Sequence, residues 1–252
     1  MNNLSFIDME MNNVIRKKIA CPPPSPSELN GRPFTKLKHG NHLKTGASHR
    51  ICRHNTKMSV SYLKCSIVGD ARVGKTHLSK VFVGEKGDSK YTPTIFDNYY
   101  GQTFCRGKKT NIAIYDLPGQ HDFDRMRRFA LKDSNVIIIC YDVQKRVSFE
   151  NVQTVWIPEI RQFFGHSIPI VLVGIMSNKK QARGVSRTEA IKVTTEMQLH
   201  DYFESHFDDN AGVSCLFSCV ATIAKKIKKK NSSFLRRIFM NCHLKKKVNE
   251  FV

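Results

Sequence analysis

No apolar stretch in these 252 residues approaches the ~20 needed to span a bilayer, and the longest candidate, around Val136–Cys140, reads as a buried strand. The opening MNNLSFIDMEMNN carries acids and amides where a secretory leader has a basic head and an apolar centre, so an intracellular protein is expected. Cysteine is present eight times but never as CxxC or at metal-ligand spacing, which argues against a disulfide framework or a zinc site and for free thiols. Acids are scarce, 21 against 41 Lys and Arg, for a net charge of +20. No helix-turn-helix or aromatic-rich RNA-binding signature accompanies that charge, so nucleic acid is not the expected partner.

The charge is uneven. Residues 1–60 carry ten basic and three acidic residues (+7), residues 225–252 ten and one (+9), and the stretch between them 21 and 17 (+4). Three regions are expected: a proline-containing basic extension (1–60) too poor in large apolar residues to offset chain entropy, a folded domain (61–230), and a basic tail (231–252). Within the domain, short apolar runs alternate with amphipathic stretches, the pattern of a mostly parallel sheet flanked by helices. Strands are predicted at Tyr62–Val68, Thr110–Tyr115, Val136–Tyr141 and Ile168–Val173, with a shorter one near Tyr202–Ser205. Helices are predicted at Thr76–Val83, Ser148–Phe164, Ser186–Gln198 and Gly212–Lys230.

The strongest chemical signal follows the first strand. Gly69-Asp70-Ala71-Arg72-Val73-Gly74-Lys75-Thr76 fits the GxxxxGK[ST] phosphate loop. Its glycines let backbone N–H groups wrap phosphates, its Lys bridges the terminal phosphates, and its Thr hydroxyl ligates Mg²⁺.

Downstream, Tyr91-Thr92-Pro93-Thr94-Ile95-Phe96-Asp97-Asn98-Tyr99, then Asp116-Leu117-Pro118-Gly119-Gln120, then Trp156-Ile157-Pro158-Glu159-Ile160 appear in order. Together with the phosphate loop they resemble the two switches and third helix of Rho-type small GTPases of the Ras superfamily, over about residues 60–228. The resemblance implies an α/β fold with a six-stranded sheet, GTP or GDP as ligand, Mg²⁺ as cofactor, and effector and regulator proteins meeting the switches. It implies that Thr94 ligates Mg²⁺ and touches the γ-phosphate through its backbone, that Asp116 holds Mg²⁺ through water, that the Gly119 N–H contacts the γ-phosphate, and that Gln120 orients the attacking water.

The base-recognition half departs from that pattern. Where the family carries [TN]KxD after the fifth strand, this chain has Ile175-Met176-Ser177-Asn178. The Asn178 amide offers one acceptor where guanine needs two, Met176 keeps only the apolar stem of the family's Lys, and Gly87 stands at the aromatic that covers the base edge. The last base motif has two registers. In the first, His206-Phe207-Asp208 replaces Ser-Ala-Lys and the extra helix that Rho proteins insert before the last strand has no room. In the second, Ser218-Cys219-Val220 takes that place and the insert returns. Near the chemistry, Ala71 replaces a Gly that leaves space for the catalytic Gln and an arginine finger, Leu117 and Pro118 replace Thr-Ala, and His121 replaces Glu. Phosphate and Mg²⁺ binding are therefore expected to survive better than hydrolysis.

In the flanks, Pro23-x-x-Pro26 resembles an SH3-domain ligand but lacks the orienting basic residue, Ala20 and Glu28 standing in its places, so a plain linker is expected. From Lys225 onward the chain interleaves ten Lys and Arg with Phe234, Leu235, Ile238 and Phe239, a mixture suited to an anionic membrane surface. It ends Asn249-Glu250-Phe251-Val252 without a CaaX box, so prenylation is not expected, and Cys242 is expected as a free thiol. Two function classes stay open: a slow GTP-hydrolysing switch, favoured by Lys75, Thr76, Thr94, Asp116 and Gln120, and a pseudo-GTPase interaction module, favoured by Met176, Asn178, Gly87 and Ala71.

Overall fold

The computed structural model describes residues 61–85, 93–177, 181–206 and 209–248, with His121 and residues 230–248 described by their backbone. The proline-containing extension, Gly87, Asn178 and Phe207 lie outside the described residues.

Six strands form one sheet: β1 Leu63–Val68, β2 Asp97–Cys105, β3 Lys108–Asp116, β4 Val136–Asp142, β5 Ile170–Met176 and β6 Asp201–His206. Their order is β2-β3-β1-β4-β5-β6, and only β2 runs antiparallel to its neighbour. The central β4 is an unbroken apolar run up to its last residue because helices cover both of its faces. β2 was not predicted, since Asn98, Gly101 and Gln102 interrupt its apolar pattern. It is an edge strand, so it tolerates polar residues, and it is joined to β3 by Arg106-Gly107, both at positive φ (50° and 74°) as a two-residue hairpin turn requires.

The helices are α1 Lys75–Phe82, α2 Asp124–Leu131, α3 Arg146–Asn151, α4 Ile157–Phe164, α5 Arg187–Glu196 and α6 Asn210–Val248. α2, which follows a 3₁₀ turn at His121–Phe123, was also not predicted, its DRMRRFAL sequence hiding the apolar face among three arginines. The predicted helix over Ser148–Phe164 is α3 and α4 joined by a π-helical stretch, Val152–Trp156. Pro158, which has no N–H to give Thr154, stands two residues past the end of that stretch, in the first turn of α4, where the wider preceding turn tolerates the missing bond.

One face of the sheet buries Leu117, Ile137, Ile139, Phe149 and Trp156 in one cluster, and the other buries Ile67, Ile114, Ile138, Leu78 and Phe217 in a second. Phe82 of α1 meets Phe217 of α6 at 4.1 Å between ring centres. α6 does not stop at Lys230 as predicted: no Gly or Pro follows Gly212, nothing interrupts the helix, and most of the expected basic tail continues it to Val248. Among the described residues no helix is long and apolar enough to cross a membrane. The cysteines described by their side chains, Cys65, Cys105, Cys140, Cys215 and Cys219, are free thiols.

Candidate nucleotide site

The C-terminal ends of β1 and β3 carry the site, as parallel sheets usually place it. Between β1 and α1 the chain turns through Gly69–Gly74, and the Lys75 ammonium folds back to donate to the carbonyls of Gly69 (2.8 Å) and Asp70 (2.7 Å). Arg72 is held at φ 62°, a left-handed conformation that costs a non-glycine residue roughly 1–2 kcal/mol. Burial lowers the Lys75 pKa, opposed chiefly by the Asp116 carboxylate, so an anion held here would favour its charged form.

Directly behind Lys75, the Thr76 hydroxyl donates to Asp116 Oδ2 (2.5 Å) and lies 2.7 Å from the Thr94 hydroxyl. α1, the end of β3 and the loop before β2 thus converge two hydroxyls and a fully buried carboxylate. An all-oxygen set with one carboxylate fits Mg²⁺, which keeps waters and shares its shell with phosphates.

The chain after β3 presses on the phosphate loop. A Cβ at Gly119 would sit 2.4 Å from the Ala71 nitrogen and 2.5 Å from the Gly69 carbonyl, so only glycine fits there. Gln120 follows, exposed, with its carbonyl accepting from Arg127. Arg127 is only 1% exposed and forks onto Glu159 with two bonds of 2.9 Å. Its guanidinium also lies 5.0 Å from the Trp156 ring. Trp156 in turn donates from Nε1 to Asp70 Oδ1 (2.7 Å), and the Asn151 amide donates to Asp70 Oδ2 (2.7 Å). The sequence reading missed this chain from the phosphate loop through the π-helical stretch to the loop of Gln120. Its key links, Arg127 to Glu159 and Asp70 to Trp156, join residues 32 and 86 apart, beyond the reach of any local period.

At the other end of the site, Met176 closes β5 opposite His206 of β6, and Ile175 is 2% exposed in the core. The strand Asp201–His206 realises the first register, with Ser218-Cys219-Val220 inside α6, and α5 is the helix described between β5 and β6. Ser177 donates to Gln144 Oε1 (3.0 Å), and Lys145 pairs with buried Asp142 (3.2 Å) while reaching the Arg72 carbonyl (3.4 Å). Behind these, Tyr202 donates to Glu204 (2.6 Å), which Arg183 grips through both oxygens. Burial pushes the Glu204 pKa up, but the hydrogen bonds from Arg183 and Tyr202 outweigh it and hold the carboxyl below its ordinary value.

A profile of the Ras family matches residues 64–229. The chain belongs to that family. Within it the likeness is to Rho proteins: the GTP-binding protein Rho1 of Kluyveromyces lactis is 36% identical over 182 residues, covering 68% of this chain and 86% of its own length. The Rho-related GTP-binding protein RhoB of Homo sapiens is 33% identical over 176 residues, 64% of this chain and 88% of its own. The Rho-related protein racL of Dictyostelium discoideum is 35% identical over 133 residues, 53% and 68% respectively. In this Rho-like chain the phosphate half brings Lys75, Thr76, Thr94, Asp116, Gly119 and Ala71 together. Of the residues aligned with the base motifs, Met176 and His206 are strand neighbours, and Ile175 points into the core at the first position of the family's tetrad.

Proposed function

We propose that this Rho-like protein is a GTP-binding switch of intracellular signalling that holds GTP or GDP with Mg²⁺, hydrolyses GTP slowly and selects guanine weakly. The observation that carries the reading is the convergence of Lys75, Thr76, Thr94 and Asp116 beside the phosphate loop. In this reading the backbone from Gly69 to Thr76 cradles the phosphates and Lys75 spans the terminal ones. Thr76, Thr94 and Asp116 would hold Mg²⁺, which would supply neutralisation of the phosphate oxygens. Gln120 orients the water that attacks the γ-phosphorus as the bond to the bridging oxygen of GDP breaks. The Ala71 methyl, next to the backbone that Gly119 touches, crowds that water and any arginine finger.

Selectivity rests on Met176, Asn178, His206 and Phe207. Losing a charge-assisted hydrogen bond costs about 1.5–3 kcal/mol, roughly ten- to 150-fold in affinity. An Asn amide at the tetrad instead matches xanthine, which carries a carbonyl where guanine carries an amino group. Titrating wild type and Asn178→Asp with GDP and XDP tests this: the variant is expected to tighten GDP by tens-fold and loosen XDP. Nanomolar wild-type GDP binding with no change of preference in the variant would rule it out. The second reading, a pseudo-GTPase scaffold, is favoured by Ile175, whose burial removes a polar group from the base end. Finding no nucleotide in the supernatant of denatured purified protein would support it. Effector and regulator proteins would meet the Thr94 and Gln120 segments, the basic tail an anionic membrane, and Pro23–Pro26, weakly, an SH3 domain.

A further inference from the structure

At the pole opposite the nucleotide site, a cleft of about 260 Å³ opens between α6 and the N-terminal ends of β1 and β3. It far exceeds the ~30 Å³ share of one water and lies just under the ~300 Å³ where small-ligand sites begin, a size that suits a compact headgroup. Lys109, Lys225 and Lys228 line it with Thr110, Asn111 and Asn135, and no acid is among the lining residues. Lys225 is already oriented, donating to the Thr110 hydroxyl at 2.6 Å. Asp133, the nearby acid, acts on Lys64, whose ammonium turns instead to the Lys132 carbonyl.

The chemistry of the lining narrows the ligand. Three ammoniums with amide donors suit a compact polyanion, since Lys binds phosphate as a point charge, whereas planar carboxylates favour the Arg fork that is missing here. A single-stranded nucleic acid would need a free aromatic face for its bases. Tyr62, the aromatic side chain of the lining, is packed edge-on against Tyr100 at 5.6 Å. We propose that this cleft binds a small ligand carrying several phosphate monoesters, the chemistry of an inositol polyphosphate, either free or as a lipid headgroup. The site is separate from the nucleotide site and does not depend on the switch reading.

Calorimetry of the full chain with inositol trisphosphate at about 0.15 M salt tests the proposal. Changing Lys109, Lys225 and Lys228 together to Gln is expected to weaken binding by about tenfold or more. The same substitutions at Lys245, Lys246 and Lys247, which remove equal charge from the helix end, are expected to change it less than about twofold. Lys228→Glu alone, on an exposed turn of α6, should also abolish most of the heat if the triple variant folds poorly. Vesicles of phosphatidylinositol bisphosphate and charge-matched phosphatidylserine separate the sources: preference for the former assigns a lipid headgroup, and binding of free trisphosphate alone assigns a soluble ligand. No binding of either by wild type, or equal losses in the cleft and helix-end variants, overturns the site.

Discussion

Ala71 shows how much one methyl can decide. Gly119 lies so close to the Ala71 peptide that a single carbon more on Gly119 would collide, and the proposed slow hydrolysis assigns the adjoining methyl to the space the hydrolysis machinery needs. Arginine-finger stimulation contributes roughly 10³–10⁵-fold in this chemistry and needs that room. Single-turnover GTP hydrolysis is therefore expected to rise in Ala71→Gly and fall in Gln120→Leu, and unchanged rates in both would refute the crowding account. Lys64 makes a different residue-scale case. Burial lowers its pKa to about 8, partly countered by Asp133, while its ammonium sits 4.4 Å over the Tyr115 ring. Because the folded value is below the unfolded one, the unfolded chain binds more protons between about pH 8 and 10.5, and stability rises with pH across that window. Lys64→Met should thus be the more stable form at neutral pH in urea denaturation, with the gap narrowing above pH 8. A gap that does not move with pH would mean that Lys64 titrates normally.

At the scale of elements, the π-helical stretch Val152–Trp156 ties the phosphate loop to the loop of Gln120. Trp156 and Asn151 hold Asp70 of the phosphate loop, and Arg127 stacks on Trp156 while binding Glu159 and the Gln120 carbonyl. Asp70→Ala leaves a buried indole N–H and an amide unpaired, which costs about 1–3 kcal/mol per group. We expect Asp70→Ala and Trp156→Phe each to destabilise by about 2 kcal/mol, and the double variant to cost about 1–2 kcal/mol less than their sum. Strict additivity would mean that the two side chains do not act as a unit. Of this element the helical period and the WIPEI segment were legible in the sequence. The π-helical turn was not, because a one-residue widening leaves the apolar pattern over Ser148–Phe164 almost unchanged.

For the whole molecule, charge is segregated to the flanks while the folded body is nearly balanced, +4 between residues 61 and 224. Since each Lys or Arg near an anionic bilayer contributes about 1 kcal/mol, the tail after Lys225 is expected to bring the protein to phosphatidylserine vesicles reversibly. The Debye length shrinks from ~10 Å at 0.1 M salt to ~3 Å at 1 M, so sedimentation with vesicles should fall sharply over that range, and further on removal of residues 231–252. Salt-independent sedimentation would point to apolar insertion instead.

Local spacing sufficed for the alternating α/β pattern and the phosphate loop, and the resemblance to Rho-type GTPases added the two switches, because each is written in a few adjacent residues whose backbone chemistry is local. β2 and α2 escaped because their apolar faces are diluted by polar residues that an edge strand and a half-exposed helix tolerate. Only the tertiary structure decided the rest. The register of β6, the Asp70–Trp156–Arg127 chain and the lysine cleft depend on groups far apart in sequence, such as Asp70 with Trp156 and Thr110 with Lys225. Such contacts follow from how a twisted sheet stacks its helices, which no stretch of sequence read alone contains.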